Sequence, residues 1–206
     1  MDNEMKKAES VKTVIIPDEK DLDQIVSDHV VFSMIAGAIP IPVLDILAIS
    51  AIQIDMLRKI AKKYELDFDD ESGKSIVSSI IGSTIGTSIG RAGASAIKVI
   101  PGIGTILGVG SQVTLAGITT FAIGHIFNIH FKNQKPIDMF NLDEVKETFE
   151  ELLKKGKEFV ENIQKQTKTT QKDMKMETSL VIKKMAEKGI IKQGDYEKIK
   201  KELEKE

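Results

Sequence analysis

Several short motifs in this chain have the residue types of a chemical site. Gly73-Lys74-Ser75 opens an apolar stretch and has the form of the end of a phosphate-binding loop, in which the lysine and hydroxyl serve phosphate and magnesium. That loop needs a glycine five residues before Gly73, where Phe68 stands, and Asp69, Asp70 and Glu71 would repel a polyphosphate. The acids fit the N-terminus of a helix instead. Gly102, Gly104 and Gly108 approach the dinucleotide fingerprint, but no strand precedes them and no acid follows at the distance that would hold a ribose. His125 and His130 are five apart, which sets them well apart around a helix, and His29 is remote, so a metal site is not indicated. Asp45 is an acid inside an apolar run, which is costly in lipid; it marks either a functional site or a polar stripe shared with Asp55. The many serines and threonines form no Ser-His-Asp order and no nucleophile elbow. The chain has no cysteine, which removes thiolate chemistry, zinc–cysteine sites and disulfides. The residues point away from an enzyme, and no cofactor or metal is expected.

The elements that would position these residues are all helical. A helix is expected from about Asp23 to Ala38, broken by Pro40-Ile41-Pro42, since proline removes a donor and restricts the residue before it. It resumes from Val43 to about Tyr64, apolar on most sides, with Asp45, Asp55, Lys59 and Lys62 as a narrow polar stripe and Asp55–Lys59 as a favourable i,i+4 pair. After the polar turn Glu65–Ser72, a helix from Gly73 to about Lys98 repeats small residues every fourth position: Ser78, Gly82, Gly86, Gly90 and Ala94. Each glycine costs a helix about 1 kcal/mol relative to alanine, so the row implies close helix–helix packing, a device favoured in membranes; Gly104 and Gly108 are further expected packing positions in the hairpin. Pro101-Gly102-Ile103-Gly104 breaks the chain again before a helix to about Phe131.

Charge is segregated. Between Ile76 and His130 the only formal charges are Arg91 and Lys98, and Val99–Gly124 has none, longer than the roughly 20 residues needed to span a bilayer. Two readings stay open: a membrane-inserted hairpin, or one buried in a soluble bundle. The net charge of −2, the lack of tryptophan and the low aromatic content give no support to nucleic-acid binding. Residues 1–22 are polar, with no cleavable secretory signal. After Asn133-Gln134-Lys135-Pro136 the chain becomes densely charged, which divides it into a hydrophobic helical domain, 23–135, and a charged tail, 136–206. In the tail, Leu142, Val145, Phe149, Leu152, Gly156, Phe159 and Ile163 make the stripe of a short coiled coil or docking helix over 142–163. Gln164–Lys175 reads as a weak helix or linker. A small helical hairpin over 180–204 follows, with Gly189 as C-cap, Ile190 and Ile191 as apolar plugs and Tyr196 opening its second helix. The fold class expected is all-α: a glycine-rich hydrophobic hairpin packed on a proline-broken helix, plus this tail, whose interaction residues would be Val145, Phe149, Leu152, Phe159, Ile163, Gly189, Ile190, Ile191 and Tyr196.

Four segments together resemble a known helical family. Ala38-Ile39-Pro40-Ile41-Pro42-Val43-Leu44-Asp45; Ala51-Ile52-Gln53 with Met56-Leu57-Arg58-Lys59-Ile60-Ala61; Ile100-Pro101-Gly102-Ile103-Gly104; and Phe121-Ala122-Ile123-Gly124 are similar to the domain of unknown function 697 over about Asp28 to Phe131. The positions that carry the likeness are Pro40, Pro42, Asp45, Gln53, Arg58, Pro101, Gly102, Gly104 and Gly124. The resemblance implies a membrane-linked effector or anchor at the bacterial inner membrane with a cytoplasmic tail, and a GTPase partner acting in trans, because this chain has no complete phosphate loop and no room for a GTPase domain. Lys183–Glu204 separately resembles the short C-terminal (SHOCT) helical hairpin and the end of phasin-like granule-surface proteins, which implies an interaction or oligomerisation element. The function expected is a non-enzymatic membrane-associated scaffold, the alternative a soluble adaptor or granule-surface protein with a hidden hairpin.

Overall fold

The computed structural model describes residues 16–37, 44–90, 112–166, 171–187 and 189–204. Among them are seven α-helices: α1 (Glu19–Ala36), α2 (Leu44–Lys63), α3 (Asp70–Gly90), α4 (Gln112–Lys132), α5 (Leu142–Gln166), α6 (Gln171–Glu187) and α7 (Gln193–Leu203), with a 3-10 turn at Ile137–Met139. The chain is all-α.

Capping sets the helix starts. The Asp18 side chain accepts the Lys20 N–H at 2.9 Å, so α1 begins at Glu19, four residues before the expected Asp23, and Leu22 of the polar N-terminal segment enters the core. Asp69 accepts the Ser72 N–H at 2.7 Å and opens α3 at Asp70, ahead of the expected Gly73. Asn141 accepts the Asp143 N–H at 3.0 Å at the start of α5. At the other end of the chain, α6 begins at Gln171, nine residues before the expected Leu180. Its first turns are polar but rich in good helix formers, so propensity extends the helix where no apolar stripe exists.

The core forms around α4. Ile118, Ala122, Ile123, Ile126, Phe127 and Phe131 of this helix are buried, and α1, α2 and α5 pack against it. Burial of each of these isoleucine and phenylalanine side chains contributes about 1.5–3 kcal/mol. From α1 come Leu22, Val26, Val30 and Met34 at helical spacing, from α2 Met56, Leu57 and Ile60, and from α5 Phe149, Leu152, Leu153 and Val160. The stripe of α5 therefore lies in one core with α1, α2 and α4. The change of composition at residue 136 marks the passage from a central helix to a flanking amphipathic one. Phe127 stacks on Phe140 beyond the 3-10 turn (centroids 4.7 Å, interplanar 11°), and His130 Nε2 lies 2.9 Å from the Pro136 carbonyl, which ties the α4–α5 connection down.

Glycines allow the close approaches. Gly124 faces Val26 of α1 and Met56 of α2; Gly117 faces Met34 and Val160; Gly156 of α5 faces the Ile118 carbonyl oxygen and Phe121 of α4. A Cβ at Gly156 would sit 3.1 Å from that backbone oxygen, which cannot turn aside. Gly194 in α7 has nothing within 4 Å. Gly156→Val is expected to destabilise the protein by about 1–3 kcal/mol through overpacking. Gly194→Ala should be neutral or stabilise by up to about 1 kcal/mol. Denaturant midpoints of the two variants check this pair.

Candidate functional site

Among the described residues, two polar networks each link three helices. The first is a chain of hydrogen bonds linking the three helices at the centre. Gln53 Nε2 of α2 donates to Thr120 Oγ1 of α4 at 3.1 Å, and Thr120 donates to Ser33 Oγ of α1 at 2.8 Å. All three side chains are fully buried, and Gln53 Oε1 has no hydrogen-bond partner among the described residues. An unpaired buried acceptor costs about 1–3 kcal/mol, whereas the paired groups fix the register of the helices.

The second is an ionic network on the outer side of α1 and α2. His29, 2% exposed, lies with Nε2 3.1 Å from Asp55 Oδ2 and Nδ1 2.6 Å from the Ile25 carbonyl. Lys59 Nζ donates to the same Asp55 oxygen, so the i,i+4 pair expected from the sequence is formed. Arg58 reaches Asp55 Oδ1 at 3.3 Å and continues to Asp70 Oδ2 of α3 at 2.6 Å. Asp55 thus joins α1, α2 and, through Arg58, the start of α3. Burial alone would raise its pKa, but hydrogen bonds from His29 and Lys59, reinforced by their charges, outweigh this and hold it at about 2.

This network borders a cleft of about 830 Å³ between α2, the first turns of α3 and the α6–α7 turn. It is lined by Ala48, Ala51 and Ile54 of α2, by Ile190, Ile191 and Ile199 of the hairpin, by the charged Arg58, Asp70 and Lys74 of α2 and α3, and by Lys192 and Asp195 at the start of α7. The charges balance, and the central carboxylate has three partners already. Such a surface suits recognition of, or closure by, another apolar segment with a charged border more than proton transfer. No group of metal-ligating side chains occurs among the described residues.

The sequence-predicted residues fall in different places. Gln53 belongs to the buried chain, Arg58 to the ionic network, and Gly124 to the α1–α2–α4 contact. Asp45 lies in the first turn of α2. Ser78 is exposed, while Val77 and Ile80 are buried; Gly82, Gly86 and Gly90 are in the second half of α3. Pro40, Pro42, Ala94, Pro101, Gly102, Gly104 and Gly108 lie outside the described residues, as do Arg91 and Lys98. Val145, Phe149, Leu152, Phe159 and Ile163 pack with the bundle core. Gly189 adopts φ +69° as a left-handed helix cap, and Ile190, Ile191 and Tyr196 pack on α1 and α2. Sequence reasoning missed His29–Asp55 and Gln53–Thr120, which join residues 26 and 67 positions apart. The one local hint was Asp55 beside Lys59.

The sequence pattern described as "Domain of unknown function (DUF697)" matches residues 2–158. The chain belongs to this family. The match reaches further than the resemblance over about Asp28 to Phe131, extending from the N-terminal segment into α5, and stops short of α6 and α7. A curated relative, Magnetosome membrane protein 22 of Magnetospirillum gryphiswaldense, is 32% identical over 136 residues, which cover 66% of this chain and 70% of that protein. No solved structure matches the chain.

Asp55 yields a direct expectation. Its folded pKa is depressed, so its stabilisation is fully present above the ordinary value of 3.8 and is lost as the pH falls through about 2. That shift corresponds to on the order of 2 kcal/mol. Asp55→Asn, which strands His29 and Lys59, is expected to cost a similar 2–3 kcal/mol, roughly, at neutral pH and to flatten the acid limb. Urea unfolding of both proteins from pH 7 to pH 2.5 measures it.

Proposed function

We propose that this protein is a non-enzymatic, membrane-associated scaffold or anchor, in which the bundle of α1, α2, α4 and α5 stands at the membrane and the apolar sequence beyond Ile80 enters it. The observation that carries this reading is where the apolar residues are used. Among the described residues one helix, Val113–Lys132, is long and apolar enough to cross a membrane, and 61% of its window is buried within the protein. That burial accounts for its composition as bundle core. Residues 81–111, by contrast, are apolar and small with Arg91 and Lys98 as their only formal charges. Their small-residue rows suit helix packing in lipid. Membership of the family and the name of the magnetosome membrane relative support the same assignment.

The reading includes a cytoplasmic face at the bacterial inner membrane, self-association, and a GTPase acting in trans as the partner; the last rests on the family resemblance. A soluble adaptor with the same segment hidden in an oligomer is the competing outcome of the test.

The full-length protein should remain in the membrane pellet after a carbonate wash. Ser83→Lys combined with Thr87→Lys should release much of it, because a lysine at the bilayer centre costs about 2.5–3.5 kcal/mol. Wild-type protein found wholly in the soluble fraction would rule out the membrane reading. Equal retention of the double variant would place the anchor elsewhere.

A further inference from the structure

The three histidines stand in two kinds of surroundings. His29 lies between α1 and α2 with Asp55 3.1 Å from its Nε2, and among the described residues it alone of the three has a carboxylate at ion-pair distance. His125 and His130 are on α4, where that helix meets α5 and the connection leading into it. His125 stacks one turn beyond Phe121, with ring centroids 4.3 Å apart, and Phe121 packs in turn on Gly156 and Phe159 of α5. The charged groups that reach His125 are Asp23 of α1, which favours an imidazolium, and Lys155 of α5, which opposes it. His130 is buried among Phe127, Phe131 and Phe140, with Nε2 2.9 Å from the Pro136 carbonyl. Lys135 opposes a charge there, whereas Asp138 and Glu144 favour one. Burial outweighs these influences at both rings and pushes each below the ordinary histidine value of 6.5.

α5 is also the bundle helix that is least tied to the others. It packs mainly on α4, whereas α1, α2 and α4 all pack on one another. Neither polar network includes a residue of α5; among the described residues its polar tie to α4 is Gln164 Nε2 donating to Thr114 Oγ1 at 3.0 Å. We propose that the α4–α5 contact is a proton-operated latch: charging of His125 and His130 swings α5 away from α4 and uncovers the stripe of Phe149, Leu152, Leu153 and Val160, while α1, α2 and α4 stay assembled. An imidazolium at either place needs water, and separation of α5 and its connection from α4 supplies it. In the open form both rings titrate at the ordinary value, and in the closed form they stay neutral to lower pH. Opening therefore takes up two protons between pH 6.5 and the depressed values, and becomes about 100-fold more favourable for each pH unit lost in that window. Outside the window the dependence vanishes. The latch governs exposure of the α5 stripe whether or not residues 81–111 enter a membrane, so it is independent of the proposed function.

Amide hydrogen exchange of the full-length protein, read by peptide mass spectrometry across the histidine range and divided by each amide's intrinsic rate, gives an opening constant helix by helix. The expected result is an opening constant for α5 at least about tenfold above those of α1 and α2, so that α5 opens by itself. Just below pH 6.5 it should rise by about two decades per pH unit lost. His125→Phe and His130→Gln, which keep a ring and a hydrogen-bonding group that do not titrate, should each reduce that slope to about one decade, and the double variant should abolish it. Histidines with a merely structural role would change the opening constant and leave the slope as it was, which would overturn the proposal. A flat wild-type profile would do the same. So would opening constants of α5 that coincide with those of α1 and α2, since acid would then unfold the whole chain. Should a substitution unfold the protein, the wild-type profile decides alone, because it compares helices within one unaltered chain.

Discussion

The structure depends on one helix that is apolar on nearly every side. α4 has no polar face to offer water, so it must be enclosed, and α1, α2 and α5 enclose it. Its glycines determine how closely they come: Gly117 and Gly124 remove side chains where α1, α2 and α5 approach, and Gly156 of α5 does the same in return. Packing of this kind is unforgiving of added volume and gains its strength from many small dispersion contacts. Once α4 is enclosed, the amphipathic patterns of its neighbours follow.

Polar groups then decide the register. In an apolar bundle, helices can slide with little penalty unless buried polar groups have only one way to be paired. Ser33, Thr120 and Gln53 provide that restriction at the centre, and His29, Asp55, Lys59 and Arg58 provide it at the outer edge, where α3 is also joined through Asp70. Asp70–Arg58 is largely exposed and adds little energy by itself; its value is in continuity with Asp55. The same edge forms the wall of the cleft beneath the C-terminal hairpin, so the stability of the bundle and the shape of its interaction surface share residues.

Much of this was legible in the sequence, because it is local. The bounds of α2, the end of α4 near Phe131, the stripe of α5, the turn at Gly189 and the Asp55–Lys59 pair all follow from periodicity, breakers and i,i+4 spacing. The starts of α1 and α6 were not, since caps and plain helix propensity can extend a helix where no apolar periodicity marks it. The His29–Asp55 and Gln53–Thr120 contacts depend on which faces meet after folding, and spacing along the chain carries no information about that. Hydropathy alone gives α4 and the small-residue segment the same reading. The proposed function separates them: α4 has protein neighbours on its apolar sides, and Ser78, which starts the small-residue row, is exposed while Val77 and Ile80 are buried.

That separation is the central claim, and lipid-phase photolabelling tests it most directly. Full-length protein in native membranes would be irradiated with a photoreactive phospholipid whose reactive group sits in the acyl region, and the adducts mapped by peptide mass spectrometry. The account predicts adducts within residues 81–111 and none on the buried residues of α4, Ile118 to Phe127. Adducts on Ala122, Ile123 and Ile126 would contradict it, because lipid would then occupy the positions that α1, α2 and α5 are held to fill.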